Sequence, residues 1–253
     1  MPLAHEVTGP ADAPVLVLGG SLGTTRAMWR PQVAALSPRM RVVTFDHRGH
    51  GGSPAAIGPT GLADLGADVV DLFDHLDLGR VHYAGLSLGG MVGMWLAARR
   101  PARVDRLALL CTAAHLPPAD AWLARAAQVR VHGTASLTDV LLGRWFTAGF
   151  ADRHPEVVAP LVADLTACDS EGYAACCEAI AAMDLRPLLP TITAPTLVVA
   201  GADDPATPPR DARVIADAVP GARLAVLDRA AHLANLEQPM RVSDLLAEHF
   251  LEE

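Results

Sequence analysis

Six short runs of mainly aliphatic residues are spaced along the sequence, and most of them are continuously apolar rather than alternating. These runs are PVLVL at 14–18, RVVTF at 41–45, RVHYA at 80–84, DRLALL at 105–110, PTLVVA at 195–200 and ARLAVL at 222–227. Strands of this kind are typical of a parallel sheet that is covered on both faces. Because helical patterns separate most of the runs, the chain is predicted to form an α/β fold with a mostly parallel central sheet flanked by helices.

The alternation of strand and helix stops between about 115 and 187, where four amphipathic helical segments follow one another. These segments are PADAWLARAAQVR, LTDVLLGRWFTAGF, PEVVAPLVADLTA and SEGYAACCEAIAAM. Successive helices without an intervening strand do not extend a parallel sheet, so they are expected to form a separate layer. We therefore predict a helical cap at 115–187, inserted into an α/β core made of residues 1–114 and 188–253.

The charged residues exclude several classes of function. The formal net charge is −8 over 253 residues, so neither nucleic acid nor an anionic membrane surface is an expected partner. All 20 basic residues are arginine, which excludes a Schiff-base lysine, a pyridoxal-phosphate anchor and the lysine-dependent phosphate loop. The expected partner is a small molecule, and the sequence carries no signal of oligomeric state.

The cysteines and the amino terminus indicate the cellular compartment. The four cysteines form no CxxC pair and have no histidine cluster at metal-ligand spacing, so reduced structural thiols and no metal site are expected. The amino terminus, MPLAHEVTGP, has no basic stretch followed by an apolar core, and no apolar run is long enough to span a bilayer. A cytoplasmic protein is the expectation.

The tripeptide Ser-Leu-Gly occurs twice, at Ser21 and at Ser87, and the two settings differ. Ser87 lies in GLSLG at 85–89, a GxSxG pattern that directly follows a predicted strand and directly precedes a predicted helix. This is the strand–turn–helix setting of a nucleophile elbow, in which a sharp turn exposes the serine hydroxyl. No helix-opening elbow follows Ser21, so Ser87 is the predicted nucleophile.

A serine nucleophile needs a histidine base, and that histidine needs a carboxylate to hold its tautomer. The expected chain order is Ser, then Asp or Glu, then His. His232 follows the last predicted strand, and Asp203 and Asp204 follow the strand before it, so both loops lie at carboxyl ends of strands. Asp204 is preferred because a turn after the strand is needed to aim the carboxylate. Asp203 is the alternative, and Asp228 is a weaker one because it precedes His232 closely.

Nine other histidines compete with His232 for the role of base. His47 and His50, in FDHRGHGGSP, lie on another loop at the same edge of the sheet and remain alternatives. His115 also follows a strand, but it precedes both aspartates and breaks the expected order. The remaining six are interpreted as surface or packing residues: His5, His75, His82, His132, His154 and His249.

The first Ser-Leu-Gly acquires a different role. It lies in GGSLGTT at 19–25, on the loop that contributes one backbone N–H to an oxyanion hole in this architecture. Leu22 is the favoured donor from this loop, with Ser21 as the alternative. The second predicted donor is the N–H of Leu88, the residue after the nucleophile.

Six stretches, together with these assignments, carry a resemblance to a known family. They are SLGTTRAMWRPQ at 21–32, FDHRGHGGS at 45–53, GLSLGGMVG at 85–93, GRWFT at 143–147, GYAACCEAIAAMDLR at 172–186 and GADDPATPP at 201–209. The sequence resembles the α/β-hydrolases, and more narrowly the 3-oxoadipate enol-lactonases of aromatic-compound degradation. The resemblance implies the α/β-hydrolase fold, a triad of Ser87, Asp204 and His232, and hydrolysis of a small enol-lactone to 3-oxoadipate without a metal or organic cofactor.

Such a lactone carries a free carboxylate, and in a chain without lysine an arginine is the expected counter-ion. Arg144, beside Trp145 in the predicted cap, is the proposed carboxylate-binding residue, although a solvated arginine on a helix face explains the pattern equally well. Trp122, Trp145 and Tyr173 are expected to line the substrate cavity, and simple packing within the cap is the alternative.

Two other functions fit the same motifs. A general carboxylesterase or a cofactor-free perhydrolase would share the triad, but such enzymes typically have a His-Gly oxyanion loop where this chain has GGSLGT. A non-catalytic receptor for a small ligand is the third interpretation, because such receptors of this fold can retain an intact triad.

Overall fold

A computed structural model describes residues 2–55, 58 and 60–251. Its centre is a seven-stranded sheet with the order β1-β3-β2-β4-β5-β6-β7. The strands are β1 (His5–Thr8), β2 (Val15–Gly19), β3 (Arg41–Phe45), β4 (Val81–Leu86), β5 (Val104–Leu110), β6 (Thr196–Gly201) and β7 (Arg223–Leu227). Only β1 is antiparallel to its neighbour among these strands, which confirms the predicted mostly parallel sheet.

All six predicted strands are present within two residues of their expected ends, whereas β1 was not predicted. Its sequence, HEVT, is short and largely polar, and its residues are exposed or half-buried at the edge of the sheet. An edge strand needs apolar residues on one face only, so it lacks the continuous apolar run that marks β2, β4 and β6.

The helices lie between the strands and after the last one. They are α1 (Arg30–Leu36), α2 (Leu62–His75), α3 (Leu88–Arg99), α4 (Ala119–His132), α5 (Thr138–Trp145), α6 (Phe150–Arg153), α7 (Pro155–Ala167), α8 (Ser170–Ala182), α9 (Pro209–Ala218), α10 (Ala234–Glu237) and α11 (Pro239–Leu251). Helix α3 is apolar around most of its circumference, because it packs against both α2 and the strands β4 and β5. No helix in the described part of the chain is long and apolar enough to cross a membrane.

Five of these helices, α4 to α8, follow one another between β5 and β6 without a strand. Helices α4 and α8 pack extensively against each other. The segment leaves and rejoins the rest of the chain side by side, since the N–H of Leu185 donates to the carbonyl of Ala114 at 2.8 Å. The helices predicted for residues 115–187 are therefore present. We still propose, as a prediction, that this segment is a cap inserted into the α/β core.

The sheet brings four chain segments to one edge. Strands β2, β4, β6 and β7 run in the same direction, so the loops that follow them emerge together at their carboxyl ends. These loops carry Ser21, Ser87, Asp204 and His232 respectively. Side chains more than 200 residues apart in sequence are thereby placed in one region, which is where ligands bind on open α/β sheets.

Candidate active site

Ser87 occupies a strained turn between β4 and α3. Its backbone lies at φ 55° and ψ −114°, in a region that residues with a Cβ rarely adopt. Two hydrogen bonds hold it there: the N–H of Ser87 donates to the carbonyl of Leu110 at 2.9 Å, and the hydroxyl of Thr112 donates to the carbonyl of Ser87 at 2.7 Å. Strand β5 and the residues after it thus stabilise the turn that presents the serine.

The two glycines of the GxSxG pattern are required by close backbone contacts. A Cβ on Gly85 would overlap the backbone of Gly89 and Gly90, and a Cβ on Gly89 would overlap the carbonyl of Gly19. The close approach also allows the N–H of Gly89 to donate to the carbonyl of Gly20 at 2.9 Å. The start of α3 is therefore joined directly to the loop after β2.

Asp204 and His232 are in contact. Nδ1 of His232 lies 2.9 Å from Oδ2 of Asp204, and both side chains are almost completely buried. The other carboxylate oxygen accepts hydrogen bonds from the backbone N–H groups of Ala206 at 2.8 Å and Thr207 at 3.0 Å. The hydroxyl of Thr207 donates to Oδ2 at 2.7 Å. The carboxylate is thus fully engaged, and one of its oxygens faces the imidazole.

These contacts keep Asp204 ionised. Burial alone raises the pKa of this carboxyl group, but the neighbouring His232 and the hydrogen bonds from His232 and Thr207 outweigh burial and hold the pKa below its usual value. An ionised Asp204 favours the tautomer of His232 that has its proton on Nδ1 and a free lone pair on Nε2. Thr207 was not singled out in the sequence, and its position three residues after Asp204, as in an Asx-type turn, is the signal that could have found it.

Ser87 and His232 line one cavity together with residues of the helical segment. Its other lining residues are Ser21, Leu22, Leu116, Trp122, Arg125, Leu141, Arg144, Trp145, Tyr173, Ala206 and Thr207. Clefts of about 760 and 580 Å³ lie elsewhere on the surface, but neither is lined by Ser87 or His232. The reactive side chains, rather than the volume of the space, therefore identify the smaller cavity as the candidate active site.

The backbone N–H groups of residues 21–24, in the loop after β2, differ in whether they have an acceptor. The N–H of Ser21 points to the sulfur of Met28 at 3.3 Å, that of Gly23 donates to Nε2 of His50 at 2.9 Å, and that of Thr24 donates to the carbonyl of Ser21 at 3.2 Å. Within the described part of the chain, the N–H of Leu22 has no such acceptor. These contacts support Leu22 rather than Ser21 as an oxyanion donor. Leu88 is the first residue of α3, where N–H groups have no acceptor within the helix.

His47 and His50, the alternative bases, are buried beneath this loop and do not line the cavity. Burial and the neighbouring His50 lower the pKa of His47 to about 3, and burial likewise lowers the pKa of His50. As neutral rings they hold the loop: Nε2 of His47 is 3.1 Å from the carbonyl of Gly20, and His50 accepts from Gly23. Both histidines support the loop after β2 and do not reach the cavity that contains Ser87.

The alternative residues Asp203, Asp228 and His115, and the packing residue His249, do not line the cavity that contains Ser87. The side chains of Asp203 and Asp228 are exposed, and Asp203 lines the 760 Å³ cleft. His115 lies 3.1 Å from the carbonyl of Met183, and His249 lies 3.0 Å from the carbonyl of Leu107. Across residues 2–55, 58 and 60–251, no group of three or more His, Cys, Asp and Glu side chains is arranged to hold a metal ion.

The cavity contains two arginines and a buried phenol. Arg144 was named from the sequence, whereas Arg125 was not, because a second arginine on α4 looks like any surface residue of an amphipathic helix. Burial and the nearby Arg125 lower the pKa of Arg144. Neither guanidinium forms an ion pair with any described residue, and Arg125 stacks over the ring of Trp122, 4.7 Å from its centroid.

The phenol is that of Tyr173, whose hydroxyl is buried beside the guanidinium of Arg125 and forms no well-aligned hydrogen bond with a described residue. Burial raises its pKa, and the neighbouring Arg125 only partly opposes this. Trp145 is buried beside the same space, and the indole N–H of Trp122 donates to the carbonyl of Leu116 at 3.1 Å. Two unpaired cations and an unpaired hydroxyl make this part of the cavity suited to an anion.

Comparison with known families gives two matches along the chain. Residues 13–131 match a family model described as alpha/beta hydrolase fold, and residues 170–252 match one described as TAP-like protein. The first match includes Ser87 and the loop after β2, and the second includes Asp204 and His232.

Individual relatives match over almost the whole chain. The 3-oxoadipate enol-lactonase 2 of Acinetobacter baylyi is 41% identical over 94% of this chain and 88% of that protein. The crystal structure of the enol-lactonase from Burkholderia xenovorans superposes with a TM-score of 0.96 at 42% identity, covering 99% of this chain and 96% of that one. A protein of Variovorax paradoxus, named provisionally as the carbamate hydrolase RutD, is 35% identical over 92% of this chain and 90% of its own length. The resemblance and the ester-hydrolase class predicted from the sequence are confirmed at this level.

Proposed function

The chain belongs to the α/β-hydrolase family, and on that premise we propose that it hydrolyses the lactone ester of 3-oxoadipate enol-lactone to 3-oxoadipate. Ser87 is the proposed nucleophile, His232 the base and Asp204 the carboxylate that orients it. The observation that supports this most is one cavity that contains three features: the strained turn at Ser87, the His232 that contacts Asp204 at 2.9 Å, and two arginines without an ion-pair partner among the described residues. The proposed setting is the cytoplasmic degradation of aromatic compounds by the β-ketoadipate pathway.

The proposed reaction proceeds through an acyl-enzyme. Ser87 Oγ attacks the lactone carbonyl and gives its proton to Nε2 of His232, while the carbonyl oxygen becomes negative between the N–H groups of Leu22 and Leu88. The ring C–O bond then breaks, and the departing enol oxygen takes the proton from His232. A water molecule then gives a proton to His232 and attacks the acyl carbonyl, the bond to Ser87 Oγ breaks as Oγ takes that proton from His232, and the free enol relaxes to the ketone.

Substrate recognition follows from the cationic end of the cavity. The lactone carries one carboxylate in addition to its ester, and an anion there would relieve the repulsion between Arg125 and Arg144. The hydroxyl of Tyr173 would donate to the same anion and lose its unpaired state. Trp122 and Trp145 form apolar walls beside these groups. We propose that these residues bind the carboxylate and leave the lactone carbonyl facing Ser87.

The wild-type enzyme is expected to hydrolyse 3-oxoadipate enol-lactone rapidly and p-nitrophenyl acetate weakly, because the acetate ester has no free carboxylate for Arg125 and Arg144 to bind. Loss of the lactone is followed by ultraviolet absorbance, and release of nitrophenol is followed in parallel. Hydrolysis of ethyl carbamate and formation of peracid from peroxide and acetate are measured on the same enzyme. Strong acetate or peracid activity without lactone turnover would favour a general carboxylesterase or perhydrolase. Slow turnover with tight retention of a ligand would favour a receptor.

Replacing either cavity arginine by methionine is expected to raise KM for the lactone about ten- to hundredfold, because each removes charge-assisted hydrogen bonds worth about 1.5–3 kcal/mol. KM for p-nitrophenyl acetate should change little. The variants are Arg125→Met and Arg144→Met, and Arg210→Met on the exposed surface of α9 is the matched control. An unchanged lactone KM in both cavity variants would remove the arginines from substrate recognition while leaving the triad assignment intact.

A further inference from the structure

The carboxylate of Glu237 connects two parts of the active site that are far apart in sequence. One of its oxygens accepts hydrogen bonds from the backbone N–H of Thr147 at 2.8 Å and from the hydroxyl of Thr147 at 2.7 Å. The other accepts from the N–H of Ala231 at 2.5 Å. Thr147 follows helix α5, and Ala231 directly precedes His232, so a single half-buried side chain holds both segments.

Main-chain hydrogen bonds reinforce the same junction. The N–H of Leu233 donates to the carbonyl of Trp145 at 2.9 Å, and the N–H of His232 approaches the carbonyl of Arg144 at 3.4 Å. The loop that carries His232 is therefore aligned along the end of α5, which carries Arg144 and Trp145. A displacement of one segment would move the other, because their backbones are joined directly and again through Glu237.

We propose that Glu237 is a positioning residue that fixes the position of His232 relative to the Arg144–Trp145 end of the cavity. This inference rests on the proposed function, since it takes His232 as the base and Arg144 as part of carboxylate recognition. Glu237 itself lines the outer 760 Å³ cleft and is not among the residues that line the cavity with Ser87. It acts through the two segments it binds and not on the substrate.

The physical basis is the number of donors that Glu237 satisfies. An ionised carboxylate has only acceptors, and here three N–H or O–H groups point at it. Glutamine has the same length and shape, but its amide nitrogen is a donor and would face at least one N–H group. The hydrogen bonds to that segment, either the one after α5 or the one before His232, would then be lost, while the hydrogen bonds to the other segment would remain. Because catalysis falls steeply when reacting groups are displaced by about 1 Å, a small opening is sufficient to be measured.

The test compares four variants: Glu237→Gln, Thr147→Val, the combination of the two, and the control Glu156→Gln, whose side chain is exposed on α7. Glu237→Gln is expected to lower kcat and raise KM for the lactone, with kcat/KM reduced about ten- to hundredfold. For p-nitrophenyl acetate only kcat should fall. Thr147→Val removes the hydroxyl donor alone, so it should raise KM for the lactone about threefold with little change in kcat, and its effect should shrink in the Glu237→Gln background.

Two further readouts separate positioning from folding. The melting temperature is measured for each variant, and the rate at which a fluorophosphonate labels Ser87 is measured on the folded protein. A folded Glu237→Gln variant is expected to be labelled more slowly than wild type, with a lower kcat and a higher KM for the lactone. Wild-type kcat, KM and labelling rate in that variant would overturn the inference, as would losses that simply follow the folded fraction. A wild-type enzyme that neither cleaves esters nor is labelled would instead be a failure of the proposed function.

Discussion

Replacing Ser87 by alanine is expected to reduce kcat for lactone hydrolysis by about a million-fold, to the limit of detection, because no acyl-enzyme can form without its hydroxyl. The cavity, the Asp204–His232 contact and the arginines are untouched by this change, so substrate should still bind with an affinity near the wild-type KM. The measurement is single-turnover lactone loss at high enzyme concentration, combined with calorimetric binding of the lactone or of 3-oxoadipate.

A second substitution at the same position provides the control. Ser87→Gly is also expected to be inactive, but it should unfold at a higher temperature than Ser87→Ala, because glycine tolerates φ 55° and ψ −114° without a Cβ clash. The expected gain is about 1 kcal/mol, since relief of backbone strain exceeds the extra entropy of glycine in the unfolded chain. Residual activity in both variants above background would identify another nucleophile. A Ser87→Gly variant that unfolds at a lower temperature than Ser87→Ala would show that the turn is not strained, because only the entropy cost of glycine would then remain.

The strand–turn–helix geometry at Ser87 could be predicted because all of its sequence signals are local. Strand β4, the glycines around the serine and the first turn of α3 are adjacent in sequence, and their residue types are dictated by contacts among neighbouring backbones. The buried strands were predictable for a similar reason, since a strand covered on both faces must be apolar along its length. Strand β1 escaped prediction because its half-exposed edge position removes that requirement.

Other parts of the site depend on contacts between distant segments and leave no local signal. Arg125 is one arginine of an amphipathic helix until α4 and α5 place it beside Arg144. Glu237 is one carboxylate in a short helix until α5 ends beside the His232 loop. The preference for Leu22 over Ser21 as the proposed oxyanion donor depends in turn on Met28, whose sulfur accepts the N–H of Ser21. Pairings of this kind come from packing, which periodicity and motif spacing do not specify.

Asp204→Asn is expected to lower kcat about ten-thousandfold while leaving KM nearly unchanged, and the structure explains why so small a change matters. One side-chain oxygen accepts from the N–H groups of Ala206 and Thr207, which would orient the new amide with its oxygen on that side. Its NH₂ group would then face Nδ1 of His232 in place of Oδ2. The imidazole would have to accept at Nδ1 and carry its proton on Nε2, where it could not take the proton of Ser87. Initial rates at saturating lactone measure the effect.

Asp203→Asn is the matched control, because it makes the same chemical change one residue earlier at an exposed side chain, and it should retain wild-type kcat. A large loss in Asp203→Asn with little loss in Asp204→Asn would reverse the assignment of the carboxylate.

The stability of the folded protein gives an independent check on Asp204. Because the folded pKa of Asp204 lies below its ordinary value, its ionised form stabilises the folded state at neutral pH, and that contribution is lost as the pH falls through the acid range. The free energies of unfolding of wild type and Asp204→Asn should therefore converge on acidification, since asparagine has no proton to gain.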